Sequence, residues 1–163
     1  MDKVLNYQEW LKTVPEDFSR DVLWKMTVYR YALFLADLAW HDCTKLMKDQ
    51  RTMKLSDQLY EAVGSIGANI SEGYSRSSGR DRARFYEYAL GSARESRGWY
   101  YDGRFVLGDD VSPHRMQFLT QVIRLLLTIT PEERTRTIRE DEAEYKVESL
   151  SSLDLLLEKA LLP

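Results

Sequence analysis

The chain has 163 residues, of which 44% are hydrophobic and 30% are charged, with eight glycines and four prolines. These values are typical of one globular, helix-rich domain, and the net charge of −3 excludes the strongly basic balance of a typical nucleic-acid-binding domain. No stretch reaches the ~20 apolar residues that a membrane span needs, and the first ten residues lack the basic start and apolar block of a signal peptide. We therefore expect a soluble cytoplasmic protein that does not contact a membrane, a setting that also suits the single cysteine, Cys43.

Residues 1–20 are predicted to form an N-terminal extension that precedes the main fold. Within it Tyr7, Trp10 and Leu11 fit one amphipathic turn, which Pro15 interrupts.

Two long helices follow, each indicated by apolar residues spaced alternately four and three apart. Helix one is predicted from about Ser19 to near Lys48. Helix two is predicted from Ser56, which can cap its N-terminus, to Gly73, which can act as the residue just beyond its C-terminus. The apolar positions are Trp24, Val28, Tyr31, Leu35 and Leu38 in helix one, and Leu59, Val63, Ile66 and Ile70 in helix two.

Helices three and four show the same spacing. Helix three is predicted to be the longest and to end before Gly108. Ser112 and Pro113 then supply an N-cap and a first helical residue for helix four, which is predicted to reach Pro131. The buried positions are predicted to be Phe85, Ala89, Ser92, Ser96, Trp99, Gly103 and Val106 in helix three, and Met116, Leu119, Ile123 and Leu126 in helix four.

Four long helices joined by short loops predict that residues 21–130 form an all-α, left-handed, up-down-up-down four-helix bundle. Residues 131–163 are predicted to form an acidic C-terminal extension, with nine acids against five bases. A short amphipathic helix near its end is too brief to hold its shape alone in water, so it must either dock on something or fray, and we predict that it docks on a partner protein. Its docking residues would be Leu153, Leu156, Leu157 and Leu161.

Residues that carry catalytic or metal chemistry are sparse. His41 and Cys43 are two residues apart and so point to different sides of a helix, and the other histidine, His114, lies far along the chain. No phosphate-binding loop, dinucleotide motif or zinc-protease motif is present. We therefore expect no metal site, no cofactor and no enzymatic activity.

Arginines are concentrated at the junction of helices two and three and along helix three. A helical wheel turns Arg80, Arg84 and Arg94 away from the predicted core line. One interpretation is a solvated face where acids balance these charges. The other is a phosphate-binding surface that an oligomer would repeat. Its residues would be Arg76, Arg80, Arg84, Arg94 and Arg97.

Tyrosines and glycines in helices two and three suggest contacts beyond ordinary core packing. The hydroxyls of Tyr86, Tyr100 and Tyr101 suit a half-wet interface between subunits. Four helical glycines each cost ~1 kcal/mol relative to alanine, so a close helix approach within or between subunits should offset them. These glycines are Gly64, Gly67, Gly91 and Gly98.

Two runs carry a family resemblance: AVGSIGANISEGYSR at residues 62–76 and YALGSARES at residues 88–96. Over roughly residues 23–130 the chain resembles the bacterial four-helix-bundle family first named for reading frames in intervening sequences of 23S ribosomal RNA genes. That family includes the accessory variability protein of diversity-generating retroelements. The shared positions are Asn69, Glu72, Gly73, Gly91, Ser92 and Glu95, whose polar members we expect to tie helix two to helix three.

The resemblance implies a homopentameric barrel without enzymatic activity. For the retroelement branch it also implies binding of RNA or DNA and of a reverse transcriptase. The chain departs from the family pattern at Tyr60 and Glu61, where many members carry basic residues, and in its pI of about 5.5. The leading hypothesis is a non-catalytic, homo-oligomeric accessory protein that binds RNA or DNA and a reverse transcriptase. The alternative is a scaffold that binds only proteins through its C-terminal tail.

Overall fold

A computed structural model describes residues 4–135, Leu157, Ala160 and Leu161. This part of the chain is almost wholly helical, which confirms the all-α prediction. The elements are β1 Val4–Leu5, α1 Tyr7–Leu11, α2 Glu16–Ser19, a 3-10 turn Val22–Lys25, α3 Thr27–Leu46, α4 Met53–Tyr74, α5 Gly79–Asp102, α6 Arg104–Leu107, α7 Val111–Thr135 and β2 Ala160–Leu161.

The long helices α3, α4, α5 and α7 pack in chain order, each against the next. Near the loop between α3 and α4, the thiol of Cys43 lies 3.4 Å from the carbonyl oxygen of Ser56. Farther from that loop, Gly67 faces Ala32. The two helices therefore run antiparallel.

The same reasoning applies to α5 and α7. Ser112 at the start of α7 donates to the carbonyl of Tyr100 near the end of α5. Arg82 near the start of α5 pairs with Glu133 at the end of α7. These helices also run antiparallel, while the left-handed sense of the bundle and its pentameric assembly stay predictions.

Several predicted helix boundaries are wrong: helix one was predicted from about Ser19, whereas α3 begins at Thr27. Hydrogen bonding explains two others. Ser56 lies buried inside α4 and donates to the carbonyl of Met53, so it is not an N-cap. Ser112 likewise lies buried inside α7 and bonds to α5. At the other end, α7 continues through Pro131 to Thr135 because its last turn is held by the ion pair between Arg82 and Glu133.

The buried face of α5 is rotated toward α7 from the predicted line. Phe85, Ser92 and Trp99 of that line are only half-buried. The helix is rich in alanine and tyrosine. These residues are found both in cores and at surfaces, so the spacing of strongly apolar residues does not show which of them are buried. Its buried side chains are Ala83, Tyr86, Ala89, Leu90, Ala93, Ser96 and Tyr100. Burial of Tyr86 and Tyr100 also overturns their predicted role in a half-wet subunit interface, whereas Tyr101 is 53% exposed.

Gly73 and Gly103 serve helix packing. Gly73 lies inside α4, so its predicted place beyond the helix end is wrong, and an added Cβ would lie 2.8 Å from the ring of Tyr86. Gly103 interrupts predicted helix three between α5 and α6, and its Cβ would lie 3.1 Å from Leu46.

A buried ion pair joins three of the long helices. The guanidinium of Arg115 on α7 donates to both carboxylate oxygens of Asp42 on α3, at 2.7 and 3.0 Å. Tyr100 on α5 donates to the same carboxylate at 2.8 Å. All three side chains are fully buried. Burial, and then the charge of Asp42, raise the pKa of Tyr100 well above its ordinary value, so its hydroxyl stays a donor.

The N-terminal segment packs on the bundle. Asn6 caps α1 by accepting hydrogen bonds from two backbone amides. Tyr7 and Trp10 are buried against Phe34, with ring centroids 5.3 Å apart in both pairs, and the indole of Trp10 donates to Asp37 at 2.5 Å. Tyr7 and Trp10 of the predicted N-terminal extension therefore belong to the core, while residues 15–20 are exposed.

The C-terminal end of the chain also returns to the bundle. Strand β2 pairs antiparallel with β1, with Val4 opposite Leu161 and Leu5 opposite Ala160. The side chain of Leu157 is buried in the hydrophobic core.

The variant Asp42→Ala should lower the free energy of unfolding by about 3–5 kcal/mol, because it leaves the guanidinium of Arg115 buried without a counter-charge. Urea unfolding measures this loss. Glu16→Ala, which breaks a pair with Arg20 that is exposed on both sides, should change little because solvent screens that pair. Equal effects of the two variants would contradict a central role for the buried pair.

Gly73→Ala should destabilise the fold by ~1–3 kcal/mol, because the new methyl group would clash with the ring of Tyr86. Gly91→Ala is the matched control: its Cβ meets nothing within 4 Å, so better helix propensity should raise the stability of the subunit by up to ~1 kcal/mol. Thermal unfolding of both variants tests the difference. If Gly73→Ala is as stable as wild type, the side chains between α4 and α5 can shift to accept the methyl group, and the packing is not tight at this position.

Candidate nucleic-acid interface

The outward surface of α5 carries the arginines that the helical wheel turned away from the core. Arg80, Arg84 and Arg94 are all exposed. Gly91 and Gly98 lie on the same surface and leave open space where side chains would be. We name this surface, defined by these five residues, the α5 face. On this face Gly91 lies between Arg84 and Arg94 along the helix, and Gly98 follows Arg94 by one turn.

Two of these arginines differ from most others in the protein. Within the described part of the chain, Arg80 and Arg94 form no ion pair and no side-chain hydrogen bond. Six other arginines are each paired with a carboxylate: Arg20 with Glu16, Arg51 with Asp49, Arg76 with Glu72, Arg82 with Glu133, Arg115 with Asp42 and Arg134 with Glu87. Arg80 and Arg94 are therefore available to an external anion.

The remaining predicted phosphate-binding arginines have partners within the chain. Arg84 donates to the hydroxyl of Tyr88 at 2.8 Å, which raises the pKa of its guanidinium. Arg76 pairs with Glu72, and Arg97 donates to Thr120 at 3.2 Å. Arg84 keeps its charge on the α5 face, whereas Arg76 is largely neutralised and Arg97 is turned toward α7.

Three of the acids on α5 are also engaged. Asp81 accepts from the hydroxyl of Ser78 at 2.8 Å. Glu87 pairs with Arg134, and Glu95 accepts from the indole of Trp99 at 3.3 Å. Of the three, only Glu87 is balanced by a cation. Asp81 and Glu95 keep their negative charge, because the hydroxyl of Ser78 and the indole of Trp99 are neutral donors.

The polar family positions do not tie α4 to α5 as expected. The side-chain amide of Asn69 donates to the carbonyl of Ser65, four residues back in the same helix. Glu72 bonds to Arg76 and Glu95 to Trp99, again within one helix. Ser92 contributes its carbonyl oxygen to Ser96. The four-residue spacing places each partner on the same helix face, so local bonds replace the predicted crosslinks.

The predicted partner-docking residues divide into two groups. Leu157 is 7% exposed and packs in its own core, so its predicted availability to a partner is wrong. Strand β2 holds the backbone of Leu161 against β1. Leu153 and Leu156 lie outside the described residues.

Two exposed aromatic side chains from different helices form a pair that the sequence does not predict. Trp40 of α3 is 61% exposed and packs edge to face on Tyr60 of α4, which is 45% exposed, at a centroid distance of 6.0 Å. Spacing within α3 could have identified Trp40, since it lies outside the apolar line of that helix. Its neighbour on α4 depends on how the two helices align, which a single sequence does not reveal.

Cys43 is buried, and desolvation raises the pKa of its thiol to about 12, which keeps it protonated and unreactive near neutral pH. Among the described residues, no group of three or more His, Cys, Asp and Glu side chains is arranged to hold a metal ion. No described helix is long and apolar enough to cross a membrane.

The known proteins that this chain resembles match it over its long helices. A crystal structure at 1.70 Å of a protein of unknown function, from the S23 ribosomal protein family of Bacteroides thetaiotaomicron, is 24% identical and superposes with a TM-score of 0.59. The alignment covers 64% of this chain and 98% of that chain, and it supports the helical fold. No curated protein matches the chain. The model of the 23S rRNA-intervening sequence protein family matches residues 25–103, from the turn before α3 to the glycine after α5. This match confirms the resemblance to that family, which the runs at residues 62–76 and 88–96 indicated.

Proposed function

We propose that this protein is a non-catalytic, homo-oligomeric accessory protein that binds the phosphate backbone of RNA or DNA through the α5 face. One observation carries the proposal: Arg80 and Arg94 are exposed on this face without a carboxylate partner among the described residues. Most other arginines of the described chain are paired.

The chemistry of the α5 face suits phosphate groups. A guanidinium offers several N–H donors in a planar fork that matches two phosphate oxygens. Gly91 and Gly98 present no side chain that would hold a polymer away from the helix. The rise of an α-helix places Arg80 and Arg94 ~21 Å apart along the axis, which spans about six nucleotides of a stacked strand.

Such a face binds without reading sequence. Phosphate contacts position a nucleic acid, whereas specificity needs contacts to base edges or to shape. With two free guanidinium groups on the α5 face and a net charge of −3, one subunit would bind weakly. An oligomer repeats the α5 face and so raises the effective concentration of binding groups.

Self-association is supported by the exposed surface of α3 and α4. Trp40 and Tyr60 form an exposed aromatic pair, and Gly64, one turn after Tyr60, leaves open space beside it. Large aromatic side chains next to a small residue are typical of the centre of a protein interface. The resemblance to the family is the basis for proposing five subunits. It is also the basis for proposing a reverse transcriptase as the protein partner.

The alternative function, a scaffold that binds only proteins through its tail, has less support. Burial of Leu157 in its own core removes one of the four leucines on which that hypothesis depends.

The double variant Arg80→Glu with Arg94→Glu should abolish RNA and DNA binding while helicity stays unchanged, because both side chains are exposed. Fluorescence polarisation at low and physiological salt measures affinity. For wild type, log affinity should fall linearly with log salt, by roughly 0.7 per phosphate contact on a single strand.

Lys12→Glu with Arg20→Glu is the charge-matched control, since both residues are exposed on the N-terminal segment. The control should bind like wild type. If both double variants lose the same nucleic-acid affinity, the effect comes from net charge and not from the α5 face. If wild type does not bind at low salt, the nucleic-acid proposal is wrong and the scaffold hypothesis is favoured.

Light scattering should give a mass about five times that of the 19.1 kDa chain. Trp40→Ala should lower this mass without changing the circular dichroism spectrum, because the indole is largely exposed within the subunit. Phe18→Ala, at an exposed aromatic of α2, is the matched control and should keep the full mass. A monomeric wild-type protein at micromolar concentration would contradict the assembly.

A further inference from the structure

A second exposed aromatic group lies at one end of the bundle. Phe105 on α6 is 84% exposed, the highest value among the exposed large hydrophobic side chains of the described chain, and Tyr101 at the end of α5 is 53% exposed. The guanidinium carbon of Arg104 lies 3.9 Å from the ring centroid of Tyr101 and 4.2 Å from that of Phe105. We name Tyr101, Arg104 and Phe105 the tip cluster.

The backbone holds the tip cluster in place. Gly103 fits closely against Leu46, and this contact fixes where α5 stops and α6 begins. Arg104 donates to the carbonyl of Tyr101 at 2.7 Å, which orients its guanidinium between the two rings. Gly108 then turns the chain with a φ of 93°, a value that glycine accepts readily. An ordered cation between two rings therefore projects from the end of the molecule.

From this geometry we propose that the tip cluster stacks an unpaired base of single-stranded RNA or DNA, an inference that rests on the proposed function. An exposed phenyl ring offers a face on which any base can stack, and a neighbouring arginine adds cation-π attraction and a donor for phosphate. The strand that the α5 face holds by its backbone would thus be held at the tip by a base.

A nucleotide satisfies the tip cluster better than an apolar protein surface does. Such a surface would cover Phe105 but would also remove Arg104 from water without supplying a counter-charge. A nucleotide brings a flat apolar ring and an anionic phosphate together, so it meets both needs at once.

The charges around the tip favour a single strand over a duplex. Asp102, Asp109 and Asp110 are exposed near the cluster and repel phosphates. Lys45 reaches from α3 to the carbonyl of Leu107, at 3.5 Å, and so provides positive charge on another side. A flexible strand can direct its phosphates away from the acids, whereas a rigid double helix cannot.

The experiment uses the full chain and a single-stranded oligonucleotide that contains 2-aminopurine, whose fluorescence is quenched when it stacks. Wild type should quench the probe. Phe105→Leu should abolish the quenching and weaken binding by about 5- to 150-fold, since it keeps apolar bulk but loses the aromatic face. Phe105→Trp should preserve both signals, and Phe18→Leu, at the exposed aromatic of α2, should behave as wild type.

The outcomes separate the two proposals. If wild type binds the oligonucleotide but Phe105→Leu binds equally well, the stacking site is wrong while the α5 face is unaffected. If Phe105→Leu lowers the oligomer mass in light scattering, the tip cluster is a protein contact and the stacking site is again wrong. If wild type does not bind at low salt, the proposed function fails, and this inference fails with it.

Discussion

The arrangement of the long helices depends on one buried charge pair. Asp42 lies on α3 and Arg115 on α7, the first and the last of the four long helices. Tyr100 joins α5 to the same pair. Burying a carboxylate costs several kcal/mol of desolvation free energy unless a counter-charge and hydrogen bonds compensate it. A helix register that brings all three side chains together is therefore favoured. The pair therefore selects one alignment of α3, α5 and α7 among those that apolar packing alone would allow.

Fold class was predictable because it depends on periodicity, and the lines of α3 and α4 contain strongly apolar residues such as Leu35, Leu38 and Ile66. The buried face of α5 was not predictable, because its core side chains are mostly alanines and tyrosines, which give a weak hydrophobic periodicity. The exposure of Arg80, Arg84 and Arg94 was nevertheless correct, since both the predicted and the observed core faces lie on the far side of the helix. Pairing was only partly within reach of the sequence. Arg20 and Arg76 each pair with a glutamate four residues earlier, a spacing that favours such contacts. The partners of Arg82, Arg115 and Arg134 lie on other helices, which the sequence does not align.

Glycines illustrate the same limit. The sequence placed Gly73 just beyond the end of helix two and Gly91 at a close helix approach, yet Gly73 fits tightly against Tyr86 inside α4 and Gly91 faces open space. The difference arises from which neighbouring helix lies opposite each glycine, a matter of tertiary alignment. Open glycines on an exposed helix surface are consistent with contacts made to another molecule, whereas tight ones serve the subunit itself.

The pairing of β1 with β2 has a consequence for folding kinetics. Its partners Val4 and Leu161 lie 157 residues apart in the chain, whereas α3 with α4 and α5 with α7 are hairpins closed by short loops. Loop-closure entropy makes such a distant contact slow to form, so the hairpins should be in place before the strands meet. With only two residues in each strand, the ladder should also open well before the helices in native-state hydrogen exchange.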